Sequence, residues 1–106
     1  MGPVDNAVTL ALQGTLTISR VDELRAEILE AIHAHPAVAL DCTEAEEIDV
    51  AFLQLLIAAH RTAEKLGKTV RFVAPPSALL ADAITRCGFP AVPPTTSLAQ
   101  TFSLPI

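Results

Sequence analysis

The hydrophobic period of this chain switches repeatedly between two and about 3.6, and that alternation constrains the fold more than any other feature. The run Val-Thr-Leu-Ala-Leu at 8–12 reads as a strand closed by Gly14, with Leu16 and Ile18 adding a short extension. Val21, Leu24, Ile28 and Ile32 then recur at spacings of three and four, the single face of a helix that must stop before Pro36. Ser19 stands ahead of it as the expected N-cap, and Asp22 suits the positive end of that helix. Ala-Val-Ala-Leu-Asp at 37–41 is a short apolar run suited to a buried strand. An acidic connector, 43–47, leads to Asp49, the expected N-cap of a second helix over about 50–66 that Gly67 closes. Residues 69–73 alternate as a third strand. Pro75, Pro76 and Ser77 open a third helix running to about Arg86, with Gly88 as its stop. Ala91 and Val92 read as a very short strand cut off by Pro93 and Pro94. Ser97 with Gln100 has the form of a capping box for a last helix ending near Phe102.

Strands separated by helices need crossover connections, so the sheet should be largely parallel, or mixed with an antiparallel edge. The expectation is an α/β sandwich: a four- or five-stranded mixed sheet with about four helices mainly on one face, as one domain over 1–106. A chain of 106 residues, 51% hydrophobic, can build one core and is too short for two. With four Phe and no Trp or Tyr, that core must be aliphatic. The same scarcity removes a stacking platform for bases, and a net charge of −5 repels phosphate backbones, so no nucleic-acid partner is expected. The residues after Met1 lack a basic region followed by an apolar stretch. The longest strongly apolar run, 50–59 broken by Gln54, is about half of the ~20 residues a bilayer span needs. The expected location is cytoplasmic, with reduced thiols and no direct membrane insertion.

No catalytic constellation is visible. No nucleophile elbow and no Gly-rich phosphate loop follows a strand. Cys42 and Cys87 are far apart and have neither redox nor zinc spacing, so both are expected as small core residues. His33 and His35 point to different sides of a helix, and His60 sits mid-helix as a packed or boundary residue without an obvious acidic partner. The expectations are no enzyme activity, no cofactor and no metal. A receiver domain, the nearest α/β competitor, would need an acidic pair where this chain has Gln13-Gly14, and a further βα unit.

The segment from 37 to 67 resembles the central part of STAS domains, the family of the anti-sigma factor antagonists. In that family a buried strand ending Leu-Asp leads through a short loop to Ile-Asp-Ser-Ser-Gly-Leu and an apolar helix. Leu40-Asp41 matches the strand end, Ile48-Asp49 the loop end and Leu53 the helix leucine. Gly14-Thr15-Leu16 lies where the family has Gly-x-Leu, and Lys68 to Val73 with Gly88-Phe89 match downstream. The resemblance implies a non-catalytic protein-binding module. The first serine after the aspartate would be phosphorylated by a partner kinase or anti-sigma-type regulator, and charge there would decide binding.

This sequence departs from the family at each polar element of that switch. Val50 occupies the phosphoacceptor position, Ala51 the neighbouring serine and Phe52 the glycine; Thr17 stands where many members have an aspartate. A valine takes no phosphoryl group, so the usual switch is absent. Thr43 and Thr17 are the nearby hydroxyls that could serve as alternative acceptors. The expected partner surface is Asp49, Val50, Ala51, Phe52 and Leu55 with Thr17. Val50, Phe52, Leu55 and Ala59 would form an exposed apolar patch in place of the polar switch. The competing reading is that this wide stripe packs under neighbouring helices, and that Asp49 is an N-cap alone. Glu44, Glu46 and Glu47 read as a solvated loop or as a steering patch for a basic partner. The implied setting is bacterial signalling, through a sigma-factor, chemosensory or two-component assembly. The alternative is a cytoplasmic regulatory subunit of a membrane transporter. A self-complementary patch at the second helix would also suit a homodimer.

Overall fold

The computed structural model of the protein describes residues 7–90, 95–102 and 104. The short strand expected at Ala91-Val92 lies outside them. In chain order the elements are β1 (Ala7–Ala11), β2 (Gly14–Leu16), a 3-10 turn (Ile18–Arg20), α1 (Val21–Ala34), β3 (Ala37–Asp41), β4 (Ala45–Ile48), α2 (Val50–Lys65), β5 (Thr69–Phe72), α3 (Ala78–Arg86) and α4 (Leu98–Thr101).

Among the described residues five strands form two sheets, within the expected α/β sandwich, with four helices. β1, β3 and β5 pair in parallel in that order, as the helical crossovers require. Their register lines up two rows across the sheet, Val8–Val38–Val70 and Leu10–Leu40–Phe72. Among the described residues the antiparallel component is a bridge between Arg71 and Ser97. The second sheet pairs β2 with β4, also in parallel, with an irregularity between Gly14 and Thr15. β4 corrects the expectation of a solvated acidic loop. Only Ile48 of its four residues is buried, so its composition reads as loop; pairing with β2 makes it a strand.

Helix α1 buries Leu24, Ile28 and Ile32 against β1 and β3, the face that its spacing predicts. Its start differs from expectation. Ser19 does not cap it; the Ser19 hydroxyl is 2.9 Å from the Thr17 hydroxyl, and the chain enters the helix through the 3-10 turn with no side-chain cap. Arg20 reaches back to hold the β1–β2 turn, with Nη1 donating to the carbonyls of Gln13 (2.7 Å) and Thr15 (2.9 Å). The far end of α1 is held by Lys68, whose Nζ donates to the carbonyls of Ile32 and His33, both at 2.8 Å. A cation there meets carbonyls that the helix leaves unpaired.

α2 and α3 stop in the same way. The amide of Gly67 donates to Glu64 O and that of Lys68 to Ala63 O; the amides of Gly88 and Phe89 do the same with Thr85 O and Ile84 O. This pairing requires a left-handed residue, and Gly67 and Gly88 have φ of 69° and 94°. α3 and α4 begin at the expected caps, with Ser77 accepting from the Leu80 amide and Ser97 from the Gln100 amide. The Gln100 side chain does not complete the box, because its Oε1 accepts from Thr95 instead.

Candidate functional site

The site is built on Asp49. Its Oδ1 accepts the Phe52 amide at 3.2 Å and so caps α2. Its Oδ2 accepts the amide of Ile18 at 3.0 Å, from the 3-10 turn 31 residues earlier. The Asp49 amide itself donates to Leu16 O at 3.3 Å. One residue therefore ties the start of α2 to the turn that follows β2. The reading of Asp49 as a cap alone is corrected by that second oxygen.

On either side of this tie stand two large apolar side chains open to solvent, Ile18 (67% exposed) and Val50 (47%). Between the 3-10 turn with the start of α1 and the first turns of α2 runs a groove of about 230 Å³. Ile18, Val21, Ala51, Leu55 and Ala58 give it an apolar lining, and Arg25 and Gln54 add polar groups. Val50 is the first residue of α2, where the helix presents free amides and no acidic side chain follows in the first turn.

Three residues of the expected patch are not surface residues. Phe52 is 0% exposed, Ala59 1% and Leu55 6%. The wide apolar stripe of α2 is covered because this helix packs against α1, α3, α4 and β5 at once. Phe52 and Leu55 therefore support the surface from beneath, and the reading that made Phe52, Leu55 and Ala59 exposed contacts is corrected. The open face of α2 follows Val50, Gln54, Ala58, Arg61 and Lys65. That series, at spacings of three and four, was present in the sequence and would have placed Phe52, about 200° around the helix from Val50, on the inside. Ile18 carried no such signal; it reads as strand.

Thr17 is buried, not an exposed loop hydroxyl. Thr43 is exposed but lines a different depression, with Asp41, Pro75, Pro76 and Ser77, and is not brought to the groove between Ile18 and Leu55. Asp41 accepts both the Thr43 hydroxyl (2.6 Å) and the Thr43 amide (3.0 Å), which together hold its carboxyl below the usual value. Cys42 is buried, and burial, helped by the charge of Asp41, pushes its thiol up to about 12. Glu44, Glu46 and Glu47 are exposed. His60 is half-buried and does have an acidic neighbour: its Nε2 is 3.7 Å from Glu64 Oε2, too far for a hydrogen bond. Among the described residues, no group of three or more His, Cys, Asp or Glu could hold a metal ion, and no helix is long and apolar enough to cross a membrane.

The arrangement is a largely apolar surface, and the described residues lining its groove include no nucleophile or acid–base pair. A family model described as Mlab, STAS domain matches residues 3–89. Among solved structures, the fold is similar to that of the anti-sigma factor antagonist SpoIIAA in its unphosphorylated form. The TM-score is 0.62 at 20% identity, over 82% of this chain and 77% of that one. Comparison with curated proteins gives no match.

Proposed function

The chain belongs to the STAS family, and on that premise we propose that it is a non-catalytic adaptor that binds a kinase-like or anti-sigma-type regulator without a serine switch. The observation that carries the reading is Val50: the first residue of α2, exposed, and paired across the Asp49 tie with the exposed Ile18. Where the family's phosphoacceptor would stand, this chain offers the aliphatic Val50, and the aliphatic Ile18 stands across the Asp49 tie from it. Each is worth about 1.5–3 kcal/mol on full burial, and less here because both are already part-covered. Neither side chain has an oxygen to modify, so the contact is constitutive. Glu46 and Glu47, just ahead of α2, favour approach by a basic partner surface. The setting is a bacterial signalling assembly in the cytoplasm.

The test is affinity capture with mass spectrometry of bait and captured proteins, using wild type, Ile18→Asp and Val50→Asp. Both substitutions lie on exposed positions and should leave the thermal midpoint nearly unchanged. A kinase-like protein captured by wild type and lost with either variant, from an unphosphorylated bait, is the expected result. Capture unaffected by both variants, or phosphate on Thr43 of the bait, overturns the reading. Phe52→Asp serves as the unfolded control. The same permanently apolar surface also favours a second setting, a regulatory subunit held constitutively in a membrane transporter. Recovery of a transporter ATPase in place of a kinase distinguishes the two.

A further inference from the structure

The seven lysines and arginines of this acidic chain are not spread evenly over it. Four are engaged within the fold. Arg20 holds the β1–β2 turn and meets Glu23, and Lys68 closes α1. Arg86 pairs with Asp82 at 2.8 Å, and Arg71 bonds the Phe72 carbonyl. The other three, Arg25, Arg61 and Lys65, are exposed and make no hydrogen bond or ion pair among the described residues. All three flank the groove between α1 and α2. At about 100° per residue, Arg61 and Lys65 fall about 20° and 60° around α2 from Val50, on the side of Gln54 and Ala58. Glu64 falls about 40° to the other side of Val50 and lies near His60 instead. Arg25 stands across the groove on α1 and is the one charged residue among those that line it. On a chain of net charge −5, this groove has an apolar floor of Val21, Ala51, Leu55 and Ala58 and a cationic rim.

Given the docking role proposed for the Ile18–Val50 surface, we infer that the partner fills this groove with an amphipathic helix whose apolar face is flanked by aspartate or glutamate. Its apolar side chains enter where Ala51 and Ala58 leave room. Carboxylates on one flank meet Arg25, and those on the other meet Arg61 and Lys65. The walls of the groove select a helix over an extended segment. Both walls are helices, whose backbone groups are paired internally beyond the first and last turns. An added strand would find no ladder there, whereas a helix satisfies its own N–H and C=O groups. A second copy does not supply this occupant. The strongly acidic helix of this chain, α1, carries Asp22, Glu23, Glu27 and Glu30 but buries Leu24, Ile28 and Ile32 in its own core.

The probe is a synthetic helix of about 18 residues with leucine on one face and glutamate beside it, titrated against the full chain by calorimetry and amide NMR. A counterpart carries lysine in place of glutamate. The expected result is binding of the glutamate helix alone, with shifts at Arg25, Ala51, Gln54 and Ala58. Arg25→Glu/Arg61→Glu should weaken that binding about tenfold and admit the lysine helix, which also shows that the variant is folded. Arg86→Glu, the same kind of change on α3, should leave binding unchanged. No binding of the glutamate helix, equal binding of both helices, or binding indifferent to Arg25→Glu/Arg61→Glu overturns the acidic occupant. Self-association of the free protein that the double variant abolishes would overturn it in favour of a second copy. Affinity capture with the double variant separates this occupant from the docking surface on which it rests. A regulator lost with Val50→Asp but retained by Arg25→Glu/Arg61→Glu keeps the surface and overturns the acidic helix.

Discussion

Asp41 ends a strand, Asp49 follows one, and both accept hydrogen bonds from amides downstream, yet they perform different work. Among the described residues the Asp41 carboxylate bonds only Thr43, two residues on, and holds a loop in its local shape. Asp49 bonds Phe52 three residues on and Ile18 31 residues back, so it joins two parts of the fold. The difference lies in the second carboxylate oxygen. Both Thr43 contacts fall on one oxygen of Asp41, whereas each oxygen of Asp49 serves a different element. The apolar pair Ile18 and Val50 is therefore held in place before any partner arrives, which lowers the ordering cost of binding.

The comparison is broken most severely at Asp49. Asp49→Ala removes a helix cap and a charge-assisted tertiary bond together, and should cost about 2 kcal/mol in urea unfolding. Asp49→Asn keeps one acceptor oxygen and should lose about half of that. Equal losses for Ala and Asn would mean that the carboxylate charge, not the two-element geometry, carries the effect.

A smaller effect is expected at the other aspartate. The depressed carboxyl of Asp41 contributes stability that is complete above its unfolded value near 3.8 and is lost as the pH falls through the folded value below that. Thr43→Val removes the hydroxyl, the larger of the two causes. The Asp41 carboxyl should then titrate closer to 3.8 by NMR, and the acid-side loss of stability should shrink. An unchanged titration would show that the backbone amide alone sets it.

The smallest effect is on the neighbouring thiol. Asp41→Asn removes the minor contribution to the raised Cys42 value and leaves burial, the major one. Cys42 should remain slower than the half-buried Cys87 towards iodoacetamide at pH 8 in both proteins. Rapid labelling of Cys42 in Asp41→Asn would reverse that ranking of causes.

Much of the architecture was legible without coordinates. The span of β3, the start of α2 after Asp49, the caps at Ser77 and Ser97 and the stops at Gly67 and Gly88 all agree with the sequence reading. Each is set within three or four residues, by hydrophobic period or by a side chain bonding a nearby amide. The candidate site was legible only in part. Asp49 and Val50 stand at the start of α2 as read, Phe52 and Leu55 were placed on the wrong side of α2, and Ile18 was read as strand.

What the amino-acid sequence determined by itself was therefore the order of the elements, most of their ends and the absence of a hydroxyl at Val50. The tertiary structure alone decided that 45–48 becomes a strand, that a wide apolar stripe on α2 is covered and that Ile18 stands beside Val50. β4 exists by pairing with β2, the stripe is buried by α1, α3, α4 and β5, and Ile18 is held by an aspartate 31 residues away. Contacts between residues so distant leave no period and no local cap to read; they arise only when the chain has closed on itself.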